Sequence, residues 1–276
     1  MKKARIIFAL VLTIVMTAQS AIETFAAVDL SVIKRILSGE KAQAQEPAAQ
    51  DTAEQETVAE GGKALLLTEI DPDKPLVALT FDDGPTVTTE KVLEKLEEYG
   101  VTATFFVIGK QINGSASDTM KKAYDLGCEI ANHSRNHNTM SSMPASEVSD
   151  EVNYTSDKIK EVTGEAPKFF RAPYLAVSSE MYDAVDLTFI QGITANDWVA
   201  STDTETRAQT VLNNVKDGTI ILLHDFYGND QTVDALDTII PELLSKGYQF
   251  VTVSQLFEIN EAEPEVHTGK IYSSVN

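Results

Sequence analysis

Short apolar runs alternate with helical patterns between residues 74 and 260 of the chain. The runs are rich in β-branched and aromatic residues, which favours buried strands. The segments between them repeat apolar residues at the spacing of one helix face, as Val92, Leu93 and Leu96 do. Strands that alternate with helices pair in parallel, so this pattern predicts an α/β domain. We expect a deformed (β/α) barrel, and a doubly wound open sheet is the alternative.

The predicted strands share this apolar composition and occupy residues 76–81, 103–108, 128–132, 168–171, 188–191, a short stretch near 193, 219–223 and 249–253. The predicted helices share the helical spacing and occupy residues 88–100, 117–126, 145–163, 178–184, 204–215, 232–246 and 254–258. Gly100, Gly164 and Gly247 come at the ends of three of these helices, where glycine commonly terminates a helix.

The first 26 residues are typical of a secretory signal peptide. Basic residues at positions 2, 3 and 5 precede an apolar run at 6–16, and small residues follow. We expect cleavage near Ala21 or Ala26. The apolar run has 11 residues, whereas a membrane span needs about 20. An uncleaved membrane anchor is the alternative, and either form predicts a secreted or cell-surface protein.

The chain on both sides of the domain is more polar. Residues 42–62 consist mainly of Ala, Gln, Glu and Thr, a composition that cannot bury enough surface to fold alone. We therefore interpret residues 27–73 as a disordered linker, in which 28–41 could form one short helix. Residues 261–276 are expected to be a polar tail.

Charge and cysteine content narrow the class of protein. The formal net charge is −20, and because residues 1–26 carry a net +2, the remainder carries −22. A chain this acidic is a poor nucleic-acid binder. The single cysteine, Cys128, excludes an intramolecular disulfide and lies in an apolar segment typical of a buried core residue. We expect a monomer that is held together by its core.

Two adjacent carboxylates, Asp82 and Asp83, follow the predicted strand at 76–81 and precede Gly84 and Pro85. Strand neighbours point to opposite faces, but a strand that breaks into a turn can direct both side chains into one cleft. Two like charges this close repel each other unless a cation compensates them. The pair therefore indicates a metal or an arginine, and an ordinary loop start is the alternative.

Histidines also come at predicted strand ends. His133 and His137 follow the strand at 128–132 and are four positions apart, which would place both on one face of a helical turn, a metal-ligand spacing. His224 follows the strand at 219–223. His267 lies in the predicted tail and is assigned no function.

Two further polar sets complete the pattern. Arg171 and Tyr174 follow the strand at 168–171, and Asp197 and Trp198 close another. Taken singly, Arg171 could form a structural ion pair and Trp198 could be a core or rim aromatic. In a parallel barrel, however, the carboxyl ends of all strands share one mouth, so these sets are expected to converge there.

At residues 74–258 the chain resembles the polysaccharide deacetylases of carbohydrate esterase family 4, which share a domain with the nodulation chitooligosaccharide deacetylases. The resemblance rests on five motifs in this order: Thr-Phe-Asp-Asp-Gly at 80–84, His-Ser-x-x-His at 133–137, Arg-x-Pro-Tyr at 171–174, Asp-Trp at 197–198 and Leu-x-His-Asp at 222–225. It implies a deformed (β/α) barrel that uses a divalent metal to remove acetyl groups from N-acetylglucosamine polymers or from acetylated xylan.

The resemblance implies that Asp83, His133 and His137 bind the metal. Two imidazoles and one carboxylate leave positions open for water and substrate, as catalytic sites do. Zinc suits these ligands best, and cobalt or nickel would also fit.

The resemblance likewise implies the catalytic pairs. Asp82 would be the general base, paired with Arg171, which keeps it ionised and oriented. His224 would be the general acid, paired with Asp197, which favours its protonated form.

Three residues are implied to contact the acetyl group. The backbone N–H of Tyr174 would complete an oxyanion hole, and Trp198 and Leu222 would line the pocket for the methyl group. The chain departs from the family pattern at Thr194, where an aspartate is frequent, and at Leu175, where glycine is frequent. These departures concern the shape of the sugar groove.

The sequence thus predicts an exported, metal-dependent hydrolase that removes N-acetyl groups from N-acetylglucosamine in peptidoglycan or chitin-like chains. An esterase for O-acetylated xylan that uses the same site is the alternative. A glycan-binding module without catalytic activity is a third hypothesis from another class. The expected partner is an acetylated polysaccharide, and a membrane is contacted only if the signal segment is retained.

Overall fold

A computed structural model of the chain describes residues 70–276. The predicted signal at 1–26 and the linker up to residue 69 lie outside these residues. None of the described helices combines the length and the hydropathy of a membrane-spanning segment.

Strands and helices alternate through the described part of the chain. The strands are β1 (Leu76–Gly84), β2 (Thr104–Val107), β3 (Glu129–Asn132), β4 (Phe169–Phe170), β5 (Thr188–Ile190), β6 (Ile193–Thr194), β7 (Thr219–His224), β8 (Gln249–Phe250) and β9 (Ile271–Tyr272). The α-helices are α1 (Val87–Tyr99), α2 (Gly114–Asp125), α3 (Ala145–Thr163), α4 (Ser179–Ala184), α5 (Thr204–Asn214), α6 (Asp230–Ser245) and α7 (Val253–Ile259). Short 3₁₀ turns span Gly109–Gln111 and Pro173–Leu175.

These strands form one sheet in the order β6-β7-β1-β2-β3-β4-β5-β9, and β8 pairs with the start of β1. Every pairing between the named strands is parallel. The sheet curls with its helices outside, so the predicted deformed (β/α) barrel is confirmed. Consecutive parallel strands place their carboxyl ends at one mouth.

The alternation of β1 separates the two layers of the core. Val77, Leu79 and Phe81 pack in a buried cluster with α1 and α6. Leu76 and Ala78 belong to a second cluster on the other face of the sheet, with residues of α7 and β9. Because successive strand residues point to opposite faces, Asp82 shares the face of Leu76 and Ala78.

Local signals define the helix that follows β1. The Thr86 side chain caps the first turn of α1 and forms a reciprocal capping box with Thr89. Gly100 ends the helix at φ 64°, a left-handed conformation that glycine adopts without a steric penalty. The predicted stop at Gly100 is therefore confirmed.

The last strand corrects the prediction of a polar tail at 261–276. Strand β9 pairs with β5, and the residues after it bond to β7: Ile220 N–H donates to Ser273 O at 3.0 Å and Val275 N–H to Gly218 O at 2.9 Å. Tyr272 and Val275 are buried. Residues 271–275 thus close the gap between β5 and β7. Residues 261–270 are mainly polar, and the apolar positions of 271–275 are too few to predict a strand.

Candidate active site

Asp82 and Asp83 reach the same pocket because β1 bulges between them. The register of β1 against β2 shifts between Asp82 and Gly84, and Asp83 has a φ of 76°. A bulge inserts one extra residue and redirects its side chain. The sequence-based expectation that both carboxylates enter one cleft therefore has a specific cause, and the pair belongs to the strand itself.

Gly84 leaves room for a third carboxylate behind this bulge. A Cβ atom at Gly84 would lie 2.5 Å from Oδ2 of Asp225, so a larger residue would displace the aspartate. Asp225 is fully buried, and its Oδ2 accepts a short hydrogen bond from the Thr89 hydroxyl. The Asp225 N–H donates to Asp82 O at 3.0 Å, which ties the end of β7 to the end of β1.

Asp83, His133 and His137 form a cluster that can hold a metal ion. One potential ligand atom from each lies within 4.8 Å of the others. Oδ1 of Asp83 is 3.5 Å from Nε2 of His133 and 3.2 Å from Nε2 of His137. That oxygen is buried and has no hydrogen-bond partner among the described residues. A buried carboxylate oxygen without a donor is costly, and a cation at this point would satisfy it.

The two histidines lie in a loop, so the predicted helical turn is wrong. Ser134 and His137 adopt left-handed φ values of 65° and 57°, which a helix excludes. The Asn132 side chain accepts from Ser134 N–H at 2.8 Å, and the Ser134 hydroxyl accepts from His137 N–H at 3.0 Å. Nδ1 of His133 lies 2.7 Å from the carbonyl of Arg171. This bond puts the proton on Nδ1 and leaves Nε2 free to bind a metal.

Asp82 is held by a buried arginine. Arg171 donates to Oδ1 of Asp82 and, at 2.9 Å, to the Thr80 hydroxyl, and its guanidinium lies 3.9 Å from the centroid of the Phe106 ring. Burial opposes ionisation of Asp82, but the charge of the Arg171 guanidinium and its hydrogen bond to Asp82 outweigh it. The pKa of Asp82 is therefore held below its ordinary value, and the carboxylate stays ionised.

His224 is paired with the buried Asp197. Nδ1 of His224 lies 2.8 Å from Oδ1 of Asp197, and the other carboxylate oxygen accepts from the backbone N–H of His224 at 2.8 Å and from the Thr232 hydroxyl at 2.9 Å. Burial alone would lower the pKa of His224, but the hydrogen bond and the charge of Asp197, followed by Asp82, raise it to about 9. His224 is therefore protonated at neutral pH.

A pocket of about 330 Å³ joins these groups. Eight of the ten predicted site residues line it, and Arg171 and Asp197 support it from behind. Tyr174 follows β4 in a left-handed conformation with φ 59°, and the centroid of its ring lies 4.7 Å from that of His137. The centroid of the Trp198 ring lies 5.5 Å from that of His224.

Comparison with known proteins identifies the family of this chain. The family model described as polysaccharide deacetylase matches residues 69–191. A family 4 acetyl xylan esterase from Clostridium thermocellum, solved with a cobalt ion, is 44% identical with a TM-score of 0.71, and the match covers 72% of this chain and 98% of that one. The chain belongs to the polysaccharide deacetylase family.

Longer relatives share the same domain. A bifunctional xylanase/deacetylase of Pseudobutyrivibrio xylanivorans is 48% identical over 203 residues, which make up 74% of this chain but 34% of that protein. A peptidoglycan-N-acetylglucosamine deacetylase of Bacillus cereus is 33% identical over 196 residues, 68% of this chain and 70% of the relative. The chain therefore spans about a third of the first protein's length.

The structure of this polysaccharide deacetylase domain adds residues that the sequence did not single out. Asn132 and Thr232 fix the histidine loop and Asp197 through side-chain hydrogen bonds. Asp225 is part of the fifth motif, but the family resemblance implied no function for it. Burial and the nearby charges of Asp83 and Asp82 raise the pKa of Asp225 to about 7, against the opposing hydrogen bond from Thr89. Its position directly after His224 is the sequence feature that could have indicated a role in the site.

A second cavity, of about 220 Å³, lies away from these groups, beside the residues that precede β3 and β4. It contains Cys128, and burial raises the pKa of that thiol to about 11. Cys128 is thus an unreactive core residue, as its sequence context indicated.

Proposed function

We propose that this domain removes acetyl groups from a polysaccharide by hydrolysis, with the help of a divalent metal. The proposal rests on one observation: a metal-donor cluster, an ionised carboxylate and a protonated histidine face one pocket of about 330 Å³. Separate residues for metal binding, proton acceptance and proton donation are the components of metal-assisted acyl hydrolysis.

Asp83, His133 and His137 would hold the metal. Their donor set of two nitrogens and one oxygen favours zinc, and cobalt or nickel also fits. Such an ion, when bound, would lower the pKa of a water molecule and polarise the acetyl carbonyl. The unpartnered Oδ1 of Asp83 supports this assignment.

Asp82 would accept the proton of the attacking water. Its Oδ2 lies 3.7 Å from Nε2 of His133, so the carboxylate stands beside the metal donors. The Arg171 guanidinium keeps it ionised and fixes its orientation. Residues that transfer protons in this way typically contribute about 10²–10⁴ in rate.

His224 would donate a proton to the departing amine or alcohol. Asp197 keeps the imidazole protonated and binds Nδ1, so the proton on Nε2 is the one available to the leaving group. An amine leaves poorly without protonation, whereas an alcohol leaves more readily. We therefore expect the amide reaction to depend on His224 more than the ester reaction does.

Tyr174, Trp198 and Leu222 would position the acetyl group. The Tyr174 N–H would stabilise the oxyanion, and the loss of one such donor typically costs about 10²–10³ in rate. Trp198 and Leu222 line the pocket together with Leu175 and Thr194. The two departures from the family pattern therefore lie in the wall that would shape substrate choice.

Two substrates are proposed. Higher identity to proteins named for xylan, 48% and 44%, favours O-acetyl groups of xylan. The protonated His224 and the peptidoglycan deacetylase of Bacillus cereus, at 33% identity, support N-acetylglucosamine polymers. The intact set of polar residues disfavours a glycan-binding module without activity.

Both proposed substrates can be tested by measuring the acetate released from acetyl xylan and from N-acetylglucosamine oligomers, each with and without a chelator. We expect release on at least one substrate, abolished by the chelator and restored by added zinc or cobalt. Release that the chelator does not reduce would contradict the metal assignment. Glycan binding without any release would favour the binding module.

Export is part of the proposal. A signal at 1–26 and a linker at 27–73 would place the domain outside the cytoplasmic membrane, where these polymers occur. We further propose a monomer. Mass measurement of the exported protein tests whether the signal is cleaved.

A further inference from the structure

Exposed apolar side chains of the described residues gather at the mouth of the barrel. Of seven large apolar side chains that are exposed, five come in the segments that follow β1, β4, β6 and β7. These five are Val87, Tyr174, Trp198, Val199 and Tyr227. Tyr174 and Trp198 line the pocket itself, and exposed apolar groups at the edge of a pocket often mark a binding surface.

Tyr227 lies in the loop after β7, at the carboxyl edge of the sheet, and outside the pocket that holds the metal donors. Its side chain is 78% exposed, and it does not line the pocket. It follows His224 by three residues. The ring of the intervening Phe226 has its centroid 6.2 Å from that of His224. Tyr227 therefore belongs to the loop that directly follows His224, the residue that would protonate the leaving group.

The backbone on both sides of Tyr227 is fixed. The Thr86 hydroxyl donates to Asp225 O at 2.7 Å, and Gly228 N–H donates to the Thr88 hydroxyl at 3.0 Å. These bonds hold the loop along the start of α1, where Val87 is also exposed. An aromatic ring on a pinned backbone loses little conformational freedom when a ligand binds it.

We propose that Tyr227 forms a sugar-binding subsite, in which its ring packs on the face of the pyranose unit next to the acetylated one. This inference rests on the proposed polysaccharide substrate. The face of a pyranose ring presents C–H groups and carries no charge, which suits an exposed aromatic ring. The charge of −22 on the chain after residue 26 disfavours an anionic ligand at the same rim.

The subsite predicts a dependence of KM on chain length. Wild-type protein should show a lower KM for oligomers of six units than for the single acetylated sugar, measured with acetylated xylose and xylohexaose and with N-acetylglucosamine and its hexamer. Tyr227→Ala should raise KM for the six-unit substrate by about 2- to 10-fold, the range of one aromatic contact. It should leave KM for the single sugar unchanged, because that substrate has no neighbouring unit, and should affect kcat less than KM.

Two variants make the test specific. Tyr227→Phe keeps the ring and should restore the wild-type dependence on length. Leu244→Ala removes another exposed apolar side chain, 40% exposed near the end of α6, and should leave both KM values at the wild-type level. Equal effects of Tyr227→Ala on the two lengths, or the same effect from Leu244→Ala, would overturn the subsite.

Binding of deacetylated six-unit oligomers, followed by calorimetry, provides a readout without turnover. Tyr227→Ala should weaken this binding by the same 2- to 10-fold, roughly one aromatic contact. Equal binding by wild type and Tyr227→Ala would also overturn the subsite. Wild-type protein that releases acetate from neither class of oligomer would contradict the proposed function instead, and the calorimetry would still decide the subsite.

Discussion

Single residues at the mouth adopt backbone conformations that most residues avoid. Of eight non-glycine residues with positive φ in the described chain, six lie in the segments that form the site: Asp83, Ser134, His137, Tyr174, Leu175 and Asn196. Each such conformation costs about 1 kcal/mol, so the surrounding hydrogen bonds must hold it. Because none of these positions carries a glycine, their left-handed conformations could not be recognised from the sequence. The motif residues were predictable, but their exact directions were not.

The metal donors and the general base can be separated by substitution. Asp83→Ala and His133→Ala should each abolish high-affinity metal binding, because each removes one of three ligands. Asp82→Asn keeps the size of the side chain and should retain the metal while lowering kcat about 10²-fold or more. Calorimetric titration with zinc, together with acetate release, measures both quantities. Normal activity with bound metal in the His133 variant would refute the ligand set.

The pair of His224 and Asp197 predicts a pH profile. His224 must be protonated to act as an acid, so activity should fall as pH rises through about 9. Asp197→Asn removes the main group that raises this pKa, and the alkaline limb should move toward 6.5, the ordinary value for histidine. A limb that stays in place would remove His224 from the acid role.

The same pair contributes to stability with a definite sign. The pKa of His224 is higher in the folded protein than in the unfolded chain, so its contribution is complete below pH 6.5 and is lost as pH rises through about 9. Urea unfolding of wild type and Asp197→Asn at pH 6 and pH 10 should therefore differ more at pH 6. A constant difference would contradict this linkage.

Among the helices and strands, the long ones could be predicted from the sequence, and the shortest could not. The long apolar runs of β1 and β7 and the periodic helices were found near their observed positions. Strand β8 has only two residues, and the predicted strand at 249–253 gives way to a helix at Val253. A two-residue strand has no period to detect, and it forms because neighbouring strands present backbone partners.

The N-terminal cap of helix α1 links the stability of this helix to the active site. Thr86 caps α1 and also donates to Asp225 O, so Thr86→Ala should lower the free energy of unfolding by about 1–2 kcal/mol. Thr210→Ala is a control, because Thr210 is on α5 and its hydroxyl bonds only within its own helix. Chemical denaturation measures both. Equal stability of the Thr86 variant and wild type would show that the cap is dispensable.

At the scale of the whole molecule, the barrel depends on its most C-terminal described residues. Val275 is buried against β7 and Ser274 is exposed. Val275→Ala should therefore cost about 2 kcal/mol of unfolding free energy, whereas Ser274→Ala should be close to neutral. Thermal unfolding compares the two. A neutral Val275 variant would mean that the segment does not support the sheet in solution.

This closure also sets the order in which the protein can assemble. Strand β1 pairs with β7, more than 130 residues later in the chain, and β7 in turn bonds to residues 273–275. During synthesis the emerging chain lacks these partners until residue 275 has left the ribosome. The sheet can therefore be completed only after this segment has been made, and no shorter nascent chain contains every one of its strand pairings.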